Sequence, residues 1–310
     1  MSTTELKRTN GENARLSRDE AELLPASVSG ALRDLPGLTR TAFSRFRRIA
    51  RDAAGIEIVD GKEALLAARV ARRVRALRLS ACEEYLRLLE RDKGGEVVAF
   101  LDAIATNVTS FFRERAHFEL FAKALRAWLA AGQRSFRFWS AATSSGQEAY
   151  SLAMTCSSVL GEMADYAILA TDLSTVMLER ARDARYPEGG LDGLTKQQRA
   201  RYFLPYQEGD ACVYEVRPEL RDRVVFGRLN LAQRPYPLRG PLDCVFCRNV
   251  LMYLTMDTRR GVVTEIERLL RPGGLLITGH SETLIETKTK LRRLQPSVFI
   301  KEPSETHETI

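Results

Sequence analysis

From about Leu32 to Leu89 apolar residues recur three and four positions apart, in TAFSRFRRIARDAAG, DGKEALLAARVARRVRALRL and SACEEYLRLLERD, and this spacing predicts consecutive helices. Gly55 and Gly61 punctuate the run, and Ser80 followed by Glu83 is a capping-box signature opening the third helix. After a joint near Asp92 to Glu96 the chain reads as helix, loop and helix. The loop, Thr106 to Glu114, is polar and aromatic where a plain helix would be amphipathic. From Arg137 short apolar runs (RFWSAA, YAILATDLS, VVFGRLNL, LDCVFCRNVLMYL) alternate with helical stretches, which predicts a parallel sheet covered on both faces. The last two strands, LLITGHSETL and KLRRLQPSVFIK, are joined too closely for a crossover helix and should pair antiparallel. Between Tyr186 and Val224 a helix-like TKQQRARYF and a strand-like CVYEVRP predict a small antiparallel insertion.

These patterns divide the chain into an arm at 1–30, a helical domain at 31–95, a helical linker at 96–136, an α/β domain at 137–303 with the inserted β-subdomain at about 203–226, and a tail at 304–310. A length of 310 residues with 45% hydrophobic and 28% charged positions suits about two globular domains and excludes wholesale disorder. No apolar run approaches the roughly 18 residues of a spanning helix, and the polar N-terminus has no signal core, so a cytoplasmic protein without membrane insertion is expected. The five cysteines are scattered and read as reduced thiols. Cys244 and Cys247 fall on one strand with their side chains on opposite faces, and no histidine stands near them, so no metal is expected.

A net charge of +7 and a pI near 9.3 suit an acidic partner, be it nucleic acid, anionic lipid or protein. The second predicted helix gathers Arg69, Arg72 and Arg73 along one side, with Leu65, Leu66, Val70, Val74 and Leu77 on another. That side is either a solvated face or a docking surface for an acidic partner.

Open parallel sheets bind ligands beyond the carboxyl ends of their strands, near the reversal of strand order. After the first strand lies a run of small residues, Ser140-Ala141-Ala142-Thr143-Ser144-Ser145-Gly146, leading to Gln147 and a helix. After the second lies Asp172, an acid suited to a ribose diol or, equally, to capping the helix near Thr175. Asn230 follows the third, and Arg248-Asn249-Val250 the fourth. The first loop lacks G-x-G-x-x-G, so a nucleoside without a pyrophosphate fits better than a dinucleotide.

The series TNVTSFFRE, WSAATSSGQEAYS, ATDLS, NL after a strand, FCRNVLMY and LLRPGGLLITGHSE, in order over about Leu32 to Ile300, resembles the CheR family of chemotaxis-receptor glutamate O-methyltransferases. The resemblance implies an α/β fold: an S-adenosylmethionine-dependent methyltransferase (Rossmann-like) sheet ending in an antiparallel hairpin, with an N-terminal all-α domain and a small inserted β-subdomain. It implies S-adenosylmethionine as methyl donor, S-adenosylhomocysteine as product, and glutamates on the acidic, helical cytoplasmic domain of chemotaxis receptors as substrate. Carried over by position, Asn107, Thr109 and Arg113 close over the cofactor, Asp172 holds the ribose, and Ala141, Asn230 with Leu231, and Asn249 with Val250 surround the rest. Arg113 and Tyr253 lie close to the transferred methyl; with such a substrate the docking reading of the arginine-rich helix makes Arg69, Arg72 and Arg73 the expected receptor-docking residues. Gln147 departs from the family pattern, standing where a carboxylate is expected to bind the cofactor. His280 in GHSE reads as structural or pocket-lining, since an ionised glutamate needs no base. The rivals are a cofactor-binding scaffold or sensor and a methyltransferase for another acidic protein or for nucleic acid. No Asn-Pro-Pro-Tyr-type loop supports nucleic acid. Nothing in the sequence demands more than a monomer.

Overall fold

In the computed structural model, which describes residues 38–303 other than 93, 162–163, 209–210, 283 and 285–288, Thr39 opens the first helix by accepting a hydrogen bond from Ala42 N at 3.1 Å. The expected arm at 1–30 and tail at 304–310 lie outside the described residues. Helix α1 (Arg40–Ala54) ends at Gly55, whose φ of 63° only glycine takes without cost. Helices α2 (Glu63–Ala76), α3 (Cys82–Arg91) and α4 (Gly95–Ile104) follow. Their apolar stripes meet in one core centred on Phe46, Tyr85 and Phe100, with Leu66, Val70 and Val74 packed around them. The start of α3 differs from the Ser80–Glu83 box. Ala81 is the N-cap, which makes Glu84 the third helical residue, and its carboxylate takes Ser80 N at 3.0 Å and Ser80 Oγ at 2.9 Å. Helix α5 (Arg115–Ala130) closes the helix–loop–helix segment.

The α/β part runs β1 (Ser135–Ser140), α6 (Gln147–Leu160), β2 (Asp165–Asp172) and α7 (Thr175–Asp183), then β3 (Arg185–Pro187), α8 (Lys196–Tyr202), β4 (Phe203–Glu208), β5 (Ala211–Val216) and the single turn α9 (Pro218–Arg221). It finishes with β6 (Val224–Arg228), β7 (Leu242–Cys247), α10 (Met256–Leu269), β8 (Leu270–Thr278), β9 (Leu291–Gln295) and β10 (Val298–Lys301). Seven strands form one sheet in the order β6-β2-β1-β7-β8-β10-β9, parallel from β6 to β8 and antiparallel at β10 and β9. The chain leaves β1 toward β2 and β6, then returns to β7 on the other side of β1, so the strand order reverses beside β1. KLRRLQPSVFIK proves to be a hairpin in itself: Pro296 and Ser297, at φ 62°, turn the chain so that β10 pairs with both β8 and β9. The small sheet, ordered β3-β5-β4, starts earlier than the 203–226 segment, and Val224–Arg228 belongs to the large sheet. Tyr186, Tyr202, Phe203 and Val216 bury their side chains in the core of the large domain, which explains why this short sheet holds its place.

Alternation along buried strands supplies the two faces of the sheet. Phe138, Cys244 and Phe246 pack on one side against Phe121 of α5, whereas Trp139, Val245 and Cys247 pack on the other against Val262 and Ile266 of α10. Cys244 and Cys247 thus face apart, with burial pushing both thiols up. Among the five cysteines only Cys212 is exposed.

Backbone bonds seat the helical domain on the carboxyl edge of this sheet. Thr255 N donates to Gly55 O at 2.7 Å and Glu57 N to Tyr253 O at 2.8 Å, while Ile56 and Leu254 form an isolated antiparallel bridge. The seat is close: a Cβ on Gly55 would stand 2.2 Å from Thr258 Oγ1. Gly55→Ala therefore combines a left-handed backbone with overpacking and should lower the unfolding free energy by about 1–3 kcal/mol, read as a lower urea midpoint.

Candidate functional site

Above the strand reversal lies a cleft of about 1060 Å³, the open solvent at its mouth included, between the carboxyl ends of β1, β2, β6 and β7 and the loop joining α4 to α5. Asn107, Thr109, Arg113, Ala141, Asp172, Asn230, Leu231, Asn249, Val250 and Tyr253 all line it. Ala54 and Ile56 at the end of α1, and Ile104 at the end of α4, add apolar wall from the helical domain.

Asp172 ends β2, and its carboxylate accepts Ser144 N at 2.7 Å and Ser174 N at 2.9 Å. Ser174, not Asp172, caps α7, through Met177 N at 3.2 Å. The capping alternative thus passes to the neighbouring residue. Burial raises the Asp172 carboxyl above its usual range, although the backbone N–H groups of Ser174, Ser144 and Leu173 pull the other way. Ser144 sits at φ 52° and donates from Oγ to Asn107 O at 3.0 Å, which ties the linker loop to the small-residue turn. Asn230 spends its side chain on structure, donating to Ala53 O at 2.7 Å and accepting from Ala232 N at 3.0 Å.

Gln147 does not line the cavity; its Oε1 accepts from Ser145 Oγ at 2.9 Å in the first turn of α6. Glu148 does line it. Each helical residue advances about 100°, so when α6 starts at Gln147 the next side chain swings inward. Buried Glu148 accepts Ser140 Oγ at 2.7 Å and pairs with Arg248 Nη1 at 3.0 Å. Burial raises its carboxyl, opposed by the Arg248 charge and by hydrogen bonds from Ser140 and Arg248. The sequence argument weighed the first carboxylate position of the motif and passed over the second, which helix geometry identifies.

Arg248, itself buried, spans to the linker: Nη2 pairs with Glu114 at 3.0 Å and donates to Arg113 O. Burial pushes the Glu114 carboxyl up, but His117, with Nδ1 3.2 Å away, and the Arg248 charge outweigh it and leave the group below the usual carboxylate range. Glu114 also accepts from Asn249 Nδ2 at 3.2 Å. His117 is buried beside it and His280 exposed, their rings 4.6 Å apart, and neither lines the cavity. Ligand atoms of Glu114, His117 and His280 lie within 4.8 Å of one another, but the Arg248 guanidinium already holds that carboxylate and repels a cation.

Tyr253, 38% exposed, stands at the rim, on a 3₁₀ turn over Leu251–Tyr253. Arg113 Nη1 donates to Val108 O at 2.8 Å. The three arginines of α2 separate. Arg72 is exposed, Arg69 donates to Ile104 O beside the cavity, and Arg73 grips Glu96 at 2.7 and 2.9 Å.

A family model described as "CheR methyltransferase, SAM binding domain" matches residues 107–300, and one described as "CheR methyltransferase, all-alpha domain" matches residues 41–105. The chain is 38% identical over 278 residues to the chemotaxis protein methyltransferase of Escherichia coli, spanning 87% of this chain and 95% of that one. It is 37% identical over 262 residues to chemotaxis protein methyltransferase 2 of Pseudomonas aeruginosa, spanning 84% and 93%. The chemotaxis protein methyltransferase of Salmonella typhimurium is 36% identical over 264 residues, spanning 84% and 90%.

A partly apolar cavity lined by two carboxylates, Glu148 and Asp172, and two guanidiniums, Arg113 and Arg248, suits a nucleoside that carries both positive and negative groups. A ribose diol placed against Asp172 would donate best to the ionised carboxylate, so a proton would compete with such a ligand. Affinity for S-adenosylhomocysteine should fall on acidification, starting above the usual carboxylate range, whereas Asp172→Asn should bind roughly tenfold more weakly at neutral pH with a shallower profile that keeps only the contribution of Glu148, as calorimetry across pH will show.

Proposed function

The chain belongs to the CheR methyltransferase family, and from that premise we propose that it carries the methyl group of S-adenosylmethionine to glutamate side chains of chemotaxis receptors, releasing glutamyl methyl esters and S-adenosylhomocysteine. The convergence of Asn107, Thr109, Arg113, Asp172, Asn249 and Tyr253, from motifs spread along the chain, on one cavity at the strand reversal carries this reading. When bound, S-adenosylmethionine supplies an electrophilic methyl group on a sulfonium.

The rest is asked of the chain. Asp172 receives the ribose hydroxyls, and Glu148 offers negative charge to the ammonium end. Leu231 and Val250 give apolar wall. A substrate glutamate, with an ordinary pKa near ~4.3, arrives ionised, so no general base is required. Alignment and removal of water then set the rate. Arg113 and Tyr253, flanking the mouth, orient the incoming carboxylate, with Arg113 equally placed to pair with the carboxylate of the cofactor. Ile56, Ile104 and Val108 keep the slot poor in water.

The partner we infer is the acidic, helical signalling region of a receptor, met by exposed Arg72 and by Arg69 at the edge of the cavity. No helix among the described residues is long and apolar enough to cross a membrane. The enzyme is inferred to act as a cytoplasmic monomer on the cytoplasmic part of its receptor.

The direct test is transfer of labelled methyl from S-adenosylmethionine to a receptor signalling fragment, scored as volatile methanol after mild base. Base-labile label is expected. Cofactor binding without label on any receptor fragment would favour the scaffold. Arg113→Ala should lower kcat/KM by about 10–100-fold, the worth of a charge-assisted hydrogen bond. Arg72→Glu should raise KM for the receptor, most at low salt, with melting unchanged. Arg73→Glu, which breaks the grip on Glu96, should instead show first as a lower melting temperature.

A further inference from the structure

The GHSE motif holds a residue that no part of this mechanism uses. Glu282 is 4% exposed, lies beneath the cavity wall rather than in it, and spends its whole carboxylate on backbone. Oε2 accepts Asn249 N at 2.8 Å and Gly279 N at 2.7 Å, and Oε1 accepts Met252 N at 3.2 Å. Two of these three donors belong to the segment after β7 that supplies Asn249, Val250 and Tyr253 to the cavity. Asn249 is held there at φ 55°, a conformation that costs an asparagine free energy and persists only when its surroundings impose it. Gly279 makes the approach possible: a Cβ there would stand 2.6 Å from Asn249 Nδ2 and 2.9 Å from Glu282 Oε2.

We propose that Glu282 is a positioning residue of the transfer site: its carboxylate, passed through Gly279, fixes residues 249–252 so that Asn249 and Tyr253 meet cofactor and substrate. This rests on the functional reading above. A carboxylate is the one side chain that accepts on both oxygens, whereas a glutamine amide presents a donor to one set of these N–H groups. The effect is transmitted to the ligand through backbone, and Glu282 touches no reacting atom.

Glu282→Gln is compared with Glu265→Gln, a control in α10 away from the cavity whose carboxylate holds Tyr236 N at 2.8 Å and Arg268 at 2.8 Å. Binding of S-adenosylhomocysteine is measured by calorimetry at a temperature where both variants are folded, alongside KM for S-adenosylmethionine and kcat. Glu282→Gln should bind roughly tenfold or more weakly and raise KM for the cofactor, while Glu265→Gln loses melting temperature and keeps its affinity. Should Glu282→Gln fail to fold, Gly279→Ala carries the test, since it keeps the charge and displaces the same contacts. Wild-type affinity in the folded Glu282 variant, or an equal loss in the Glu265 control, would overturn the proposal. A wild-type protein that binds no S-adenosylhomocysteine would overturn the functional reading and this inference with it.

Discussion

One buried guanidinium holds the site together. Arg248 leaves the end of β7 and reaches Glu148 at the start of α6 and Glu114 at the end of the linker loop, lying over the Phe118 and Phe246 rings. Three separate stretches of chain thus share one charge. Taking a guanidinium out of water is costly, and two carboxylates, a backbone carbonyl and two ring faces offset that cost only in this geometry. Removing either carboxylate would leave a buried charge short of a partner, which is far more damaging than the net worth of the intact set. The cavity wall therefore has a single preferred arrangement, which suits a reaction that depends on alignment.

Around this charge the protein places strained backbone. Phe112, Glu114, Ser144 and Asn249 all take positive φ, and all lie in the loops that meet at or beside the cavity. Such conformations cost free energy at each position and survive because hydrogen bonds over-determine them. Ser144 N is held by Asp172, and Asn249 by Glu114 and Glu282. The site is set by loops, and the loops are held in place by acids: Asp172 at the end of β2, Glu114 at the end of the linker and Glu282 in the loop after β8.

What the sequence made legible follows from what periodicity and strand ends can carry. The helical run and the parallel sheet were readable because apolar spacing reports which face each element buries, whereas the reversal beside β1 rests on strand order, which that spacing does not carry. Asp172 and Asn249 were readable because the carboxyl end of a strand is a place defined by the chain itself. Glu148 and Gln147 were not separable, since which of two neighbours faces inward depends on where α6 begins. Glu282 was hidden for another reason: its partners are backbone N–H groups, two of the three about 30 residues away, which no side-chain pattern records. The three arginines of α2 share a sequence signal and differ in fate, because Glu96 and Ile104 O come from α4.

The bonds between Gly55, Glu57, Tyr253 and Thr255 join two bodies that each have a core of their own, and the cavity has walls from both. A ligand lodged there touches both bodies, so by mass action it acts as a pin through a hinge, and parting them costs its binding free energy as well as their own contacts. Linkage makes the pin reciprocal: if the bound ligand changes the affinity of an outside partner for the helical domain by some factor, that partner changes the affinity for the ligand by the same factor. A partner held by the outer face of α2 would therefore be coupled to the occupant of the cavity through the seating of the helical domain, apart from any side chain it sends into the cavity itself.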